Sequence, residues 1–168
     1  TMSQVEAAIK NGAERVIFKN RELVKELVRM PKIKYLDVGY IKLVDLPALP
    51  PTLVCLDCGN NQLRQLPALP PTLKYLECYE NNLTALPTLP STLIRLYCYG
   101  NELAALPTLP STLVELMCFS NRLRKLPQTL PATLTSLSFQ RNLVTTLPAT
   151  LPPNLIELVC SNNKLKIL

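Results

Sequence analysis

A chain of 168 residues has room for one compact domain, and its 16 prolines against four glycines would signal disorder if they were scattered; they recur periodically, which excludes it. The net charge of +6 comes without a single histidine, so no Ser-His or Cys-His nucleophile pair exists and the usual zinc-ligand sets are missing. No run of about 18 apolar residues is present and no apolar signal segment follows Met2, so neither a membrane span nor a Sec-type leader is read from the sequence.

Thr1 reads as an addition ahead of a native Met2. Ser3 and Glu6 have capping-box spacing, Val5, Ala8 and Ile9 make a narrow apolar stripe, and Gly12 supplies a stop, which predicts a helix over residues 3–11. Val16-Ile17-Phe18 has the register of a degenerate first strand. The segment RELVKELVRM that follows places Leu23, Val24, Leu27 and Val28 at helical spacing and ends before Pro31. Residues 1–31 are therefore expected to form an N-terminal helical cap over the first apolar face. Residues 32–168 form a single array of one transitional and six regular repeats. In the transitional repeat Ile33, Leu36, Val38 and Leu43 keep the apolar spacing, but Ile41 stands where later units carry asparagine.

From Leu46 the stretch LPALPPTLVCLDCGNNQLRQ returns every twenty residues, at Leu66, Leu86 and Leu106, and in two versions longer by one residue at Leu126 and Leu147. Each unit cannot bury its leucines alone, so stacked supersecondary units are implied. Around Leu56 and Cys58 apolar positions alternate with variable ones, the period of a short strand. Asn61, Asn81, Asn101, Asn121, Asn142 and Asn163 recur eight residues after the first strand-side leucine, where their amides can satisfy backbone groups at the turn. The prolines, lacking amide donors, predict an extended return segment in place of a helix. The last unit ends at Leu165, Ile167 and Leu168 without polar capping residues, and a further segment or a partner is expected over that end.

Five of the six cysteines, Cys58, Cys78, Cys98, Cys118 and Cys160, share one inward site that Phe139 fills once. They read as small apolar packing residues and as reduced thiols. Cys55 falls in an outward column. No metal site and no cofactor are expected.

The outward positions of each strand are not dictated by packing. Counted from the first strand-side leucine, the third runs Tyr35, Cys55, Tyr75, Arg95, Glu115, Ser136, Glu157, and the fifth Asp37, Asp57, Glu77, Tyr97, Met117, Ser138, Val159. The seventh runs Gly39, Gly59, Tyr79, Tyr99, Phe119, Gln140, Ser161. All six tyrosines fall in these columns or, for Tyr40, beside them. Exposed aromatics are frequent interface anchors. Tyr75, Tyr79, Tyr97, Tyr99, Met117 and Phe119 are the candidate anchors, with Tyr35, Asp37, Asp57, Glu77, Arg95 and Glu115 around them. An acidic and aromatic face is the reverse of a nucleic-acid groove. An open face also lacks the concavity of a catalytic pocket, and no catalytic residue is assigned. The partner predicted from this face is a protein bringing an apolar protrusion ringed by lysine or arginine.

The pattern LxxLxCxxNxL followed by LPxLP, over residues 46–168, resembles the short leucine-rich repeat of bacterial secreted effectors, the family of Yersinia outer protein M and the IpaH-type ubiquitin ligases. The resemblance implies an α/β solenoid: a curved array with a parallel sheet on its concave face, extended prolyl crossovers on its convex face and a helical cap. It also implies a non-enzymatic effector that binds, and in some cases inhibits, a target protein after export from the bacterial cytoplasm into the host cell. The alternative it implies is the substrate-recognition part of an IpaH-type ligase. A monomer is expected.

Overall fold

The computed structural model describes residues 2–166; Thr1, Ile167 and Leu168, together with the side chains of Met2, Ser3 and Val5, lie outside the described residues. The chain begins with helix α1 (Met2–Lys10) and strand β1 (Arg15–Ile17), followed by a 3₁₀ segment over Arg21–Arg29. Seven more three-residue strands follow: β2 (Tyr35–Asp37), β3 (Cys55–Asp57), β4 (Tyr75–Glu77), β5 (Arg95–Tyr97), β6 (Glu115–Met117), β7 (Ser136–Ser138) and β8 (Glu157–Val159). All eight lie in one parallel sheet in sequence order, and the architecture is a leucine-rich-repeat solenoid.

The central residue of every strand faces inward, Val16 in β1 and leucine in the rest. Leu53, Leu56, Cys58 and Leu63 and their equivalents through β7 are fully buried, and Phe139 fits the cysteine column without exposure. Each such leucine contributes roughly 1.5–3 kcal/mol by leaving water. That burial is supplied by the neighbouring repeats. At β8 the same columns are covered from one side only: Leu158 is 36% exposed and Cys160 half-buried. Strand partners are offset by twenty residues, as in Leu96↔Leu116, and by twenty-one at Leu116↔Leu137 and Leu137↔Leu158. The extra residue of the two longer units sits in the crossover, so the inward leucines stay aligned.

Polar ladders join the repeats. Asn61 accepts from Leu43 N at 2.9 Å and donates to Val38 O, Cys58 O and Gly59 O. Asn101 repeats the arrangement with Leu83 N, Cys78 O, Cys98 O and Tyr99 O. Each asparagine thus ties its own turn to the preceding unit. A second ladder, not expected from the sequence, comes from Thr52, Thr72, Thr92, Thr112 and Thr133. Each hydroxyl lies within hydrogen-bonding distance of two carbonyls of the preceding unit, Pro31 O and Ile33 O for Thr52. Among the described residues no buried side-chain nitrogen or oxygen lacks a partner.

Helix α1 starts at Met2; the capping box expected of Ser3 and Glu6 rests on the Ser3 side chain and lies outside the described residues, while Glu6 accepts from Arg29 at 2.9 Å. Its end is as expected: Gly12 is left-handed at φ 61°, Gly12 N donates to Ile9 O and Ala13 N to Ala8 O, a Schellman arrangement. The segment after β1 winds as a 3₁₀ helix, opened by Asn20, which accepts from Glu22 N. Its buried residues Val24, Leu27 and Met30 recur every three positions, while Val28, placed in the stripe from the sequence, is 67% exposed. Nine 3₁₀ residues reach about 18 Å against about 14 Å for an α-helix, which suits a crossover spanning the depth of one repeat.

Candidate functional site

Because strands repeat in register, each outward column becomes a row of side chains about 4.8 Å apart. In the seventh column this spacing brings aromatic rings face to face. Tyr79 and Tyr99 stack with centroids 4.8 Å apart and planes at 11°, and Tyr99 and Phe119 at 4.3 Å and 7°. Gly59 precedes Tyr79 in the column, and the Tyr79 ring occupies the space a Cβ there would need. Tyr40, 71% exposed and left-handed at φ 59°, stands beside the Tyr79 phenol. Burial first, and then the neighbouring Tyr40, hold the Tyr79 phenol well above its ordinary pKa.

The third and fifth columns meet in a second cluster. The Arg95 guanidinium grips Glu115 through Nε–Oε2 at 2.8 Å and Nη2–Oε1 at 3.1 Å, and Tyr97 Oη donates to the same Oε2 at 2.7 Å. The guanidinium also lies 5.5 Å from the centroid of the Tyr75 ring and 5.6 Å from that of Tyr97, within cation–π range. The hydrogen bond from Arg95 holds the Glu115 carboxyl below its usual range, and burial pushes the Tyr97 phenol up to about 12.

Asp37, Asp57 and Glu77 stand in register on β2, β3 and β4. Asp37 Oδ1 accepts from Gly39 N and Asp57 Oδ1 from Gly59 N, each at 2.9 Å. Burial raises the Asp57 and Glu77 pKa values, and repulsion within the row adds to it. With Tyr35 and Cys55 these acids line a cleft of about 170 Å³ whose far rim is Arg15.

All twelve residues singled out from the sequence thus lie on the outward sheet face: Tyr35, Asp37, Asp57, Tyr75, Glu77, Tyr79, Arg95, Tyr97, Tyr99, Glu115, Met117 and Phe119. They divide into an aromatic row, an Arg95-centred clamp and an acidic row. Tyr40 and Glu80 were not among them. Glu80 lies over Gly100 as Tyr79 lies over Gly59, and the signal for both was a glycine in the same or the next column of the adjacent repeat. Ser138, expected as an exposed small residue, is buried and donates to Gln140.

One expectation about thiols changes. Cys160 is half-buried, unlike its fully buried equivalents. Burial, and secondarily Glu77 and Asp57, raise the Cys55 pKa, which lowers its thiolate fraction. Among the described residues no group of acids and cysteines is arranged to hold a metal ion, and no helix is long and apolar enough to cross a membrane.

No family model and no curated protein sequence matches the chain. Solved structures do. The chain is similar to YopM from Yersinia enterocolitica WA-314 at 33% identity, covering 82% of this chain and 39% of that one with a TM-score of 0.55. YopM from Yersinia pestis, described as a leucine-rich effector protein, matches at 28% identity over 96% of this chain and 52% of that one, TM-score 0.78. A Shigella effector leucine-rich-repeat domain matches at 29% identity over 99% of this chain and 87% of that one, TM-score 0.76. The chain therefore spans about half or less of the two YopM chains but most of the Shigella domain. Repeat pattern, parallel solenoid and these likenesses agree: the chain is a leucine-rich-repeat solenoid similar to the repeat domains of bacterial effector proteins.

Proposed function

We propose that this chain is a non-enzymatic protein-binding module, with residues 1–31 as its cap and residues 32–168 as its array, that captures a target protein on the outward sheet face. The observation that carries it is the pre-stacked row Tyr79–Tyr99–Phe119 beside the Arg95–Glu115–Tyr97 clamp. Anchors already held by their neighbours lose little freedom on binding, and that favours affinity. Eight strands give a face about 34 Å long, enough for a standard interface of roughly 800 Å² per partner. The likeness to effector domains supports a monomer exported from the bacterial cytoplasm that acts in the reducing host cytoplasm, blocking its target where the face covers an active site. The acidic row argues against nucleic acid.

The likeness to a Shigella effector repeat domain over 87% of that domain supports a second possibility, the substrate-recognition part of a larger IpaH-type ubiquitin ligase. A catalytic domain in the same reading frame separates the two.

The test is capture from host and bacterial lysates by wild type and by a Tyr79→Ala/Tyr99→Ala/Phe119→Ala variant, followed by kinetic binding of the recovered protein. The expected loss is at least about 2 kcal/mol, roughly thirtyfold, through faster dissociation. Wild-type affinity in the triple variant, with binding abolished by substitutions at Arg124 and Lys125, exposed basic residues outside the strand columns, overturns the assignment.

A further inference from the structure

Resting on that function, we propose that the face accepts an extended basic segment of its partner: a lysine or arginine side chain seats at Asp57 and Glu77, and an apolar side chain three to four residues away packs on Met117 and Phe119. The charge pattern is the first reason. Among the described residues none of Asp37, Asp57 and Glu77 forms an ion pair. Arg95, the cation on the next strand, is held by both oxygens of Glu115 and lies against two rings. Three carboxylates thus face solvent in a row on a chain whose net charge is +6. A basic segment is attracted to this row and repelled by the rest of the surface, which selects the face as well as the partner.

Relief is the second reason. Gly39 leaves the backbone beside Asp37 and Asp57 without a side chain, and Cys55 adds only a thiol to the cleft, so the acid cleft admits a long slender side chain. The glycine amides fix one oxygen of each aspartate and leave the other for a ligand. At the opposite end Ser136 and Ser138 stand in register with Glu115 and Met117, so on the β7 side nothing bulkier than serine flanks Met117, with Tyr97 on the β5 side. From the middle of β3 and β4 to β6 is about 12 Å at the strand spacing. An extended chain covers that in three to four residues at roughly 3.3 Å each. The desolvation and repulsion that already burden Asp57 and Glu77 are relieved when a cation arrives.

The experiment is selection of a random twelve-residue peptide display library on the intact chain, in parallel on wild type, on Asp57→Asn/Glu77→Gln and on Tyr79→Ala/Tyr99→Ala. The wild-type pool is expected to be rich in lysine or arginine three to four residues from an apolar side chain. Its best peptide, made synthetically, should bind the Asp57→Asn/Glu77→Gln variant at least about tenfold more weakly and with a shallower salt dependence. A pool that is neutral or acidic, or a basic one that binds the neutralised variant equally well, overturns the basic-segment inference while leaving the binding face in place. A pool indifferent to Tyr79→Ala/Tyr99→Ala overturns both.

Discussion

The ring of Tyr79 lies over Gly59, so close that a Cβ at residue 59 would collide with Cζ, Cε1 and Cε2 of the tyrosine. The N-terminal end of the aromatic row therefore rests on bare backbone. Gly59 has no left-handed φ, and an alanine there would otherwise reduce unfolded-state entropy and stabilise the chain slightly. The collision reverses the sign. Gly59→Ala is expected to destabilise by roughly 1–3 kcal/mol, while Gly39→Ala, whose nearest neighbours would be 3.4 Å away, changes stability by less than about 0.5 kcal/mol. Urea denaturation of the two variants checks this, and equal midpoints would contradict the placement of the ring.

Asn101→Ala removes the partner of Leu83 N and of three carbonyls. The loss is expected at roughly 1–3 kcal/mol for each buried group left unpaired. Asn60, one residue before its unit's ladder asparagine, is not neutral as its sequence position suggests, because it sits at φ 52°. Asn60→Ala should cost about 1 kcal/mol and Asn60→Gly close to nothing. Equal midpoints for Asn101→Ala and Asn60→Gly would remove the ladder.

Ser120 occupies the same left-handed position at φ 52°, where Gly100 sits at φ 64° in the preceding unit. Ser120→Gly is expected to raise stability by about 0.5–1 kcal/mol, since the relief of left-handed strain exceeds the added chain entropy. Thermal unfolding with a matched Ser111→Gly control reads it.

Native protein should react with a thiol reagent only at Cys55 and Cys160, and slowly at Cys55 because its pKa is raised. Cys78 and Cys118 are pushed up to about 12 by burial and stay protected until the chain unfolds. Mass-spectrometric mapping of labelled sites tests this; early labelling of Cys98 would place the repeat in the wrong register.

Acid should separate the two carboxylate clusters. Asp57 and Glu77 have folded pKa values above their unfolded ones, so the folded chain binds their protons more tightly and loses stability as pH rises from the unfolded values through the folded ones. Asp57→Asn/Glu77→Gln is thus expected to exceed wild type at pH 7 by up to about 1 kcal/mol and to converge with it near pH 3. For Glu115, held below its usual pKa by Arg95, the sign is opposite: its contribution is present above the unfolded pKa and fades as pH falls through the folded one. Glu115→Gln should fall below wild type at pH 7 and converge on acidification. Denaturation midpoints across this range read both.

The solenoid was legible because Leu53, Leu56, Cys58, Leu63 and Asn61 recur at one spacing, and a period shared by six units outweighs any local propensity. The outward columns were legible for the same reason. What the columns could not show is that the rings of Tyr79, Tyr99 and Phe119 spend their faces on one another, or that Arg95 is neutralised by Glu115; both depend on rotamers and on planes at 11° and 7°. The left-handed column stayed hidden because Tyr40, Asn60, Glu80, Ser120, Arg141 and Asn162 occupy it, with glycine only at Gly100. The 3₁₀ winding was obscured because Val24 and Leu27 fit both helical periods, and only Met30 and the exposure of Val28 separate them.

In the sheet every strand bonds only to the strands immediately before and after it, in matched register. Cutting out one whole unit from the middle would therefore rejoin two surfaces of the same make. The molecule would shorten by one strand spacing, about 4.8 Å. Removing a residue from a crossover, by contrast, would be absorbed within that loop, as the extra residue of each longer unit is, and the inward leucines would stay in register. Such a protein changes its reach in quanta of one loop, and the span of what it can grasp is counted in repeats.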